Sequence, residues 1–182
     1  TEVPWKGGWQ IAPDHAHGWQ TVAPSAIPFE TGQNAPMALD RDGLATIRET
    51  FVEAARRAAR LGPDAVQLHA AHGYLLHQFL SPLSNHREDE YGGSLENRMR
   101  FPLETAQAVR AVVPKGTPLG ARITGSDWTE GGLTPDDAVA SYLQARGDVT
   151  ARLARFMRGL ALEEAGDLSA LTVAVRQVRA LA

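Results

Sequence analysis

The chain has 182 residues, of which 43% are hydrophobic and 21% are charged, and its formal net charge is -3. This composition predicts one soluble cytoplasmic domain and disfavours a surface that tracks nucleic-acid phosphates. The sequence contains no cysteine, which excludes disulfides and thiolate sites. No apolar run predicts a membrane span or a secretory signal. A complete (β/α)8 barrel takes about 250 residues, so a chain of this length is predicted to be too short for one.

The first regular element is predicted to begin at Asp40. Residues 1–39 are rich in glycine, proline and tryptophan without a sustained period, which indicates irregular structure. Asp40 can cap a helix, and Leu39 and Leu44 have the spacing of a hydrophobic staple. The helix should end at Gly62-Pro63, and residues 64–69 are extended in character. Its predicted buried stripe comprises Leu44, Ile47, Phe51, Ala54, Ala58 and Leu61.

A second helix and strand follow in the same order. Ser94 can cap a helix that ends before Pro114, and Pro102 is expected to kink or restart it. Residues 119–124 form the next strand candidate, and Thr134 and Pro135 are typical of the start of another helix. The apolar positions predicted for the second helix are Leu95, Met99, Leu103, Ala106, Val109 and Val112.

The alternation of helices and strands predicts an α/β fold with parallel strands and crossover helices. Ligand sites in such folds lie at the carboxyl ends of the strands, which directs attention to the residues just after His69 and just after Ile123. From about residue 142 onward, Ala, Leu and Arg dominate two predicted helical stretches, and no strand is evident there.

Two imidazoles and a phenol come close together in sequence at the end of the first strand, on His69, His72 and Tyr74. The histidines can donate two N–H hydrogen bonds to one carbonyl or anionic oxygen, and the phenol can deliver a proton. The alternative is that these side chains only bind loop carbonyls. A metal site is disfavoured because no third ligand is evident.

Arg122 lies in the middle of the second strand, where burying an unpaired guanidinium would be costly. A structural partner such as Asp127, or a carboxylate on a neighbouring strand, is the commoner arrangement for such a residue. The functional alternative is a ligand that develops negative charge, such as a flavin that accepts electrons.

The stretch that follows the first strand carries a long motif. Residues 69–104, HAAHGYLLHQFLSPLSNHREDEYGGSLENRMRFPLE, resemble the central signature of the old yellow enzyme family, the FMN-dependent ene-reductases. Residues 22–29, VAPSAIPF, resemble the family's loop after its third strand, and residues 120–139 resemble its fifth strand and the helix behind it. The bacterial branch is the most similar, because His72 stands where the other large branch has asparagine.

This resemblance implies a (β/α)8 scaffold in which NAD(P)H reduces FMN and the flavin passes hydride to an activated alkene. His69 and His72 would bind the carbonyl or nitro oxygen of the substrate and polarise its double bond. Tyr74 would donate or relay a proton to the α-carbon. Arg122 would contact the flavin beside N1 and the C2 carbonyl. The remaining matched residues of the motif are interpreted as structural: Asn85, Arg87, Tyr91, Gly92, Gly93, Asn97 and Arg98.

The resemblance covers residues 1 to about 139 and predicts a partial barrel of about two parallel strands, with residues 140–182 as a helical extension. The family's first three strands, which carry residues that contact the flavin ring, and its last three strands, which carry the phosphate-binding groups, have no counterpart here. We therefore expect a small-molecule substrate, an activated alkene, and a homo-oligomer or a partner chain that completes the barrel, without membrane or nucleic-acid partners. The alternative function is that of a truncated, non-catalytic relative that acts as a structural or self-associating module.

Overall fold

The computed structural model describes residues 3, 5, 7, 8 and 10–146. Helices flank each of the two longer strands, and these strands pair in parallel, which confirms the α/β class with parallel strands. In chain order, the elements are β1 (Val22–Ala23), β2 (Met37–Ala38), α1 (Arg41–Arg60), β3 (Val66–Ala70), α2 (Leu75–Leu80), α3 (Leu95–Val112), β4 (Leu119–Ile123) and α4 (Pro135–Arg146).

The central feature is the parallel pair of β3 and β4. Its register places His69 opposite Arg122 and Ala70 opposite Ile123. Because successive side chains of a strand point to opposite faces, each strand has one face toward the helices and one away from them. The helix-facing side chains belong to the hydrophobic clusters of the protein: Leu68, Ala70, Ala121 and Ile123. His69 and Arg122 therefore share the opposite face.

The predicted ends of α1 agree with the structure. The Asp40 carboxylate accepts a hydrogen bond from the Gly43 backbone N–H at 2.7 Å, and Leu39 and Leu44 are both buried. The helix ends at Arg60, and Gly62 follows with a φ of 64°. This positive φ suits glycine, which has no Cβ to clash.

The predicted buried stripe of α1 is wrong toward its carboxyl end. Ala54 is exposed and Leu61 is 87% exposed, whereas Val52 and Ala55 are buried. The predicted positions advance by about 3.4 residues per turn against about 3.6 in an α-helix, so the row drifts around the helix by about 100° from Leu44 to Leu61. The helix instead keeps the Val52 and Ala55 side against the core.

The helix α3 begins as predicted, with the Ser94 hydroxyl accepting a hydrogen bond from the Asn97 backbone N–H at 3.3 Å. It continues through Pro102 to Val112 and does not restart at the proline. The short helix α2, Leu75–Leu80, was missed by the sequence analysis. Its first cap residue, Tyr74, makes no side-chain capping hydrogen bond, so the sequence carries no start signal there.

The N-terminal segment is mostly irregular, as predicted, but it contains one short parallel ladder. Val22 pairs with Met37 and Ala23 with Ala38. The segment is attached to the rest of the protein by Arg87, whose guanidinium donates to the carbonyl oxygens of Pro24 and Leu39. The strand β1 of this segment also contacts α2.

The predicted helical stretches beyond about residue 142 lie largely outside the described residues. Residues 140–146 belong to α4, whose start is capped as predicted: the Asp137 backbone N–H donates to the Thr134 hydroxyl at 3.2 Å. Among the described helices, we found none that is both long and apolar enough to cross a membrane.

Candidate functional site

The structure brings together the four side chains that the sequence analysis singled out. His69 and Arg122 are opposite each other on β3 and β4, near the carboxyl ends of both strands. The ring centroid of His69 lies 5.2 Å from that of His72 and 5.2 Å from that of Tyr74. We call His69, His72, Tyr74 and Arg122 the strand-end cluster.

The polar groups of this cluster are not used in the fold. The side chains of His69, His72 and Tyr74 form no hydrogen bond with any described residue, and Tyr74 is 63% exposed. Within the described residues, the imidazoles therefore do not bind loop carbonyls, as the alternative interpretation would require. Their N–H and O–H groups are available to a ligand.

The Arg122 side chain differs from that of a structural arginine, whose donors bind partners within the fold. Its Nε is buried and has no hydrogen-bond partner among the described residues. The structural partner considered above, Asp127, is engaged elsewhere: its carboxylate accepts hydrogen bonds from Ser81 Oγ at 2.6 Å and from the Leu133 backbone N–H at 2.7 Å, and it lies 2.9 Å from His77 Nε2. A buried donor without a partner costs about 1–3 kcal/mol, and a ligand acceptor would remove this cost.

The electrostatics of the cluster keep one imidazole neutral. Desolvation, followed by the positive charge of Arg122 and the neighbouring rings of His69 and His77, lowers the pKa of His72 from its ordinary value. His72 is therefore uncharged at neutral pH, and a neutral imidazole still donates one N–H hydrogen bond. Within the described residues, no group of three His, Asp or Glu side chains is arranged to hold a metal ion.

Two side chains to which the sequence analysis gave no role hold the loop between β3 and α2. The hydroxyl of Thr124, the residue that follows β4, accepts a hydrogen bond from the His72 backbone N–H at 3.0 Å. The Gly73 backbone N–H donates to His77 Nδ1 at 2.8 Å. The only sequence signal for either residue is its place inside the stretches that resemble the family.

A cleft of about 820 Å³ lies beside the cluster, between the N-terminal segment and α2. His72 and Gly73 form part of its wall, and Val22, Ile27 and Phe29 contribute apolar surface. This volume falls within the range of about 300–1,000 Å³ that is typical of small-molecule sites. His72 is thus the member of the cluster that faces this cleft.

The residues that follow α2 have a different role. We call residues 81–94 together with the first turn of α3, residues 95–98, the signature loop. Asn85 donates to the carbonyl oxygens of Phe79 and Tyr91, and Arg98 donates to those of Leu80 and Gly93. These contacts agree with the interpretation of the matched residues in this loop as structural.

Comparison with known proteins gives the family of the chain. The model of the NADH:flavin oxidoreductase / NADH oxidase family matches residues 5–167. A protein of Gibberella zeae named NADH:flavin oxidoreductase is 47% identical over 130 residues, which are 70% of this chain and 32% of that protein. An NADPH dehydrogenase of Clostridium acetobutylicum is 48% identical over 121 residues, which are 66% of this chain and 36% of that protein. The chain thus spans about a third of the length of these relatives.

Solved structures agree with the sequence comparison. Morphinone reductase in complex with tetrahydroNAD matches with a TM-score of 0.58 and 39% identity, over 67% of this chain and 37% of that one. The old yellow enzyme homologue from Zymomonas mobilis matches with a TM-score of 0.59 and 32% identity, over 67% of this chain and 38% of that one. The resemblance to old yellow enzymes is thereby confirmed, and the chain belongs to the NADH:flavin oxidoreductase / NADH oxidase family.

Proposed function

We propose that this chain provides the substrate side of an FMN-dependent oxidoreductase that uses NAD(P)H to reduce activated C=C bonds. The substrates are α,β-unsaturated carbonyl or nitro compounds. The observation that carries the proposal is the pairing of His69 and Arg122 on neighbouring strands, with the Arg122 Nε buried and unpaired. It supports a ligand that presents an acceptor to Arg122 and lies beside the imidazoles.

The residues present fit a flavin at one point of contact. A buried guanidinium donor without a partner suits an acceptor atom that gains negative charge, because a charge-assisted hydrogen bond is stronger than a neutral one. Bound FMN would supply hydride transfer, which no amino-acid side chain can perform. In this proposal Arg122 holds the flavin ring and stabilises its negative charge.

The other three members of the strand-end cluster act on the substrate. His69 and His72, with ring centroids 5.2 Å apart, are close enough to donate hydrogen bonds to one carbonyl or nitro oxygen and so polarise the double bond. Tyr74 stands next to His69 with an exposed hydroxyl end that can give a proton to the α-carbon. Because the His72 ring is neutral, it can donate one N–H hydrogen bond to the substrate oxygen without carrying a positive charge.

The pair of β3 and β4 fits into a larger sheet. We propose that β3 and β4 are part of a (β/α)8 barrel whose other strands come from outside the described residues, with a second copy or a partner chain as one source of them. Among the described residues, the sheet of β3 and β4 has two strands, so no further strand pairs with either edge, and added strands would satisfy the backbone groups there. Residues 1–139 form the barrel-like portion and residues 140–182 an extension.

Absorbance spectroscopy tests the cofactor. We expect the purified full chain, or the chain titrated with FMN, to show the visible bands of protein-bound flavin. Protein that stays colourless after FMN is added and removed by gel filtration would contradict the proposal and favour the alternative of a non-catalytic relative.

Site-directed variants test the substrate clamp. Replacing His69 or His72 by alanine should lower kcat/KM for cyclohexenone by about 10²-fold, since each removes a donor to the substrate oxygen. Flavin binding should change little. The control is His86→Ala, which alters an exposed histidine in the signature loop. Equal kinetics for the wild type and both cluster variants would exclude the assignment.

A further inference from the structure

A buried histidine that the proposed function does not use contacts the loop that carries His72 and Tyr74. His77, on α2, is only 8% exposed. Its Nδ1 accepts a hydrogen bond from the Gly73 backbone N–H at 2.8 Å, and its Nε2 lies 2.9 Å from an oxygen of Asp127. The ring thus connects the loop after β3 with the loop after β4.

The tautomer of His77 follows from its two partners. A backbone N–H can only donate, so Nδ1 must be unprotonated, and the ring proton must be on Nε2, where it donates to Asp127. Burial opposes ionisation of Asp127, but hydrogen bonds from His77, Ser81 and the Leu133 backbone N–H outweigh it and lower the pKa of Asp127 to about 2. At neutral pH Asp127 is therefore a carboxylate that holds the Nε2–H tautomer in place.

The loop that His77 binds has an unusual backbone. His72 has a φ of 59° and Gly73 a φ of 75°, so two consecutive residues are in the left-handed region. A residue with a Cβ is disfavoured there, and surrounding contacts must maintain the conformation. Three contacts do so: the His72 N–H donates to Thr124, the Gly73 N–H to His77, and the Gln78 side chain donates to the Gly73 carbonyl at 2.7 Å.

We propose that His77 is a positioning residue, which acts through the Gly73 amide to aim the His72 ring at the substrate oxygen. The neutral ring, oriented by Asp127, holds the Gly73 N–H and thereby the left-handed turn that carries His72. Because the inference concerns where His72 points, it rests on the proposed function. His77 itself touches neither substrate nor cofactor in this scheme.

Two replacements of His77 separate its two hydrogen bonds. The side-chain oxygen of His77→Asn can take the place of Nδ1, and the amide of His77→Gln can take the place of the Nε2–H. In the FMN-loaded full chain, we expect the asparagine variant to keep kcat/KM for cyclohexenone within about twofold and the glutamine variant to lose about tenfold, mainly through KM. The matched control is His86→Asn, which should behave as wild type. Equal losses in both His77 variants would overturn the inference, because they would indicate a role in folding only.

A second measurement does not depend on turnover. Ring ¹⁵N NMR of the wild type should show an unprotonated Nδ1 and a protonated Nε2 on His77 at neutral pH. Exchange of the Gly73 amide proton should be about tenfold faster in His77→Gln than in the wild type and His77→Asn. A protonated Nδ1, or an unchanged Gly73 exchange rate in His77→Gln, would overturn the inference. Failure of the chain to bind FMN would refute the proposed function instead, and the NMR results would then decide whether His77 holds the loop.

Discussion

The strand-end cluster and the signature loop both lie at the stretches that resemble the family, yet the structure uses their polar groups in different ways. In the signature loop, Arg87 donates to two carbonyl oxygens and pairs with Asp89, and Arg98 donates to two further carbonyls. In the strand-end cluster, Arg122 has a buried Nε with no partner among the described residues. The side-chain donors of Arg87 and Arg98 thus have partners within the fold, whereas the Arg122 Nε has none among the described residues.

This difference distinguishes residues whose polar groups stabilise the fold from residues whose polar groups are available to bind a ligand. An arginine whose donors are bound to backbone carbonyls stabilises the fold, and removing it leaves buried carbonyls without donors. An arginine with a buried donor that has no partner lowers the free energy of unfolding until a ligand accepts its hydrogen bond. The two regions should therefore respond to mutation in different measurements: the signature loop in the free energy of unfolding, the strand-end cluster in ligand binding.

The largest effect is expected for Arg98→Met, which removes the donors to Leu80 and Gly93 in a buried site. The free energy of unfolding should fall by about 3 kcal/mol, as measured by urea denaturation. Arg57→Met, on the exposed side of α1, is the control and should change stability by less than about 0.5 kcal/mol. Equal stability of Arg98→Met and the control would contradict the structural role of the loop.

Asp127 lies between the two regions, because it accepts a hydrogen bond from Ser81 in the signature loop and pairs with His77, which holds the loop that carries His72. Its contribution to stability depends on pH. Its pKa is lowered from 3.8 to about 2 in the folded state, so its stabilising effect is complete above the unfolded value and is lost as the pH falls through the folded value. Asp127→Asn should reduce the free energy of unfolding by about 2 kcal/mol at pH 7. The stabilities of wild type and variant should converge near pH 2. A difference that stays constant from pH 7 to pH 2 would show that ionisation of Asp127 is not the cause; exposed Asp64→Asn is the control.

Arg122→Met tests the other side of the comparison. The methionine preserves most of the apolar stem but removes the unpaired guanidinium, so the free energy of unfolding should stay the same or rise. Flavin affinity should fall about tenfold, which corresponds to about 1.4 kcal/mol. Fluorescence titration with FMN and urea denaturation measure the two quantities. A loss of stability as large as that of Arg98→Met would remove the distinction between the two regions.

The smallest effect is expected for Ser94→Ala, at the residue of the signature loop that caps α3. The hydroxyl caps α3, and its loss should cost about 1 kcal/mol of stability without changing flavin affinity. Thermal unfolding followed by circular dichroism measures the change. The replacement Ser94→Asp should restore stability, since aspartate caps helices equally well; no recovery would argue that the cap is unimportant here.

Much of the fold could be predicted because its signals are local. Asp40, Ser94 and Thr134 each cap the helix that follows within three residues, and the sequence displays such spacing directly. The short helix α2 has no capping side chain and was missed. The buried side of α1 depends on what packs against it, which explains why Ala54 was placed on the wrong side.

The candidate site was predictable in its residues but not in its support. The close spacing of His69, His72 and Tyr74 reveals their proximity, and the family motif draws attention to Arg122. The link from His77 to Asp127 joins residues 50 positions apart, and the link from His72 to Thr124 joins residues 52 apart. Sequence spacing contains no information on such contacts, which exist only once β3 and β4 lie side by side.

The parallel register of β3 and β4 also determines where this chain can change length. Inserting one residue before Arg122 within β4 would turn its side chain to the helix-packed face, away from His69, because side chains alternate along a strand. Insertions in residues 128–131, at the exposed tip before α4, leave that alternation intact. Variation in length among natural relatives is therefore expected at the tip and excluded from the five residues of β4.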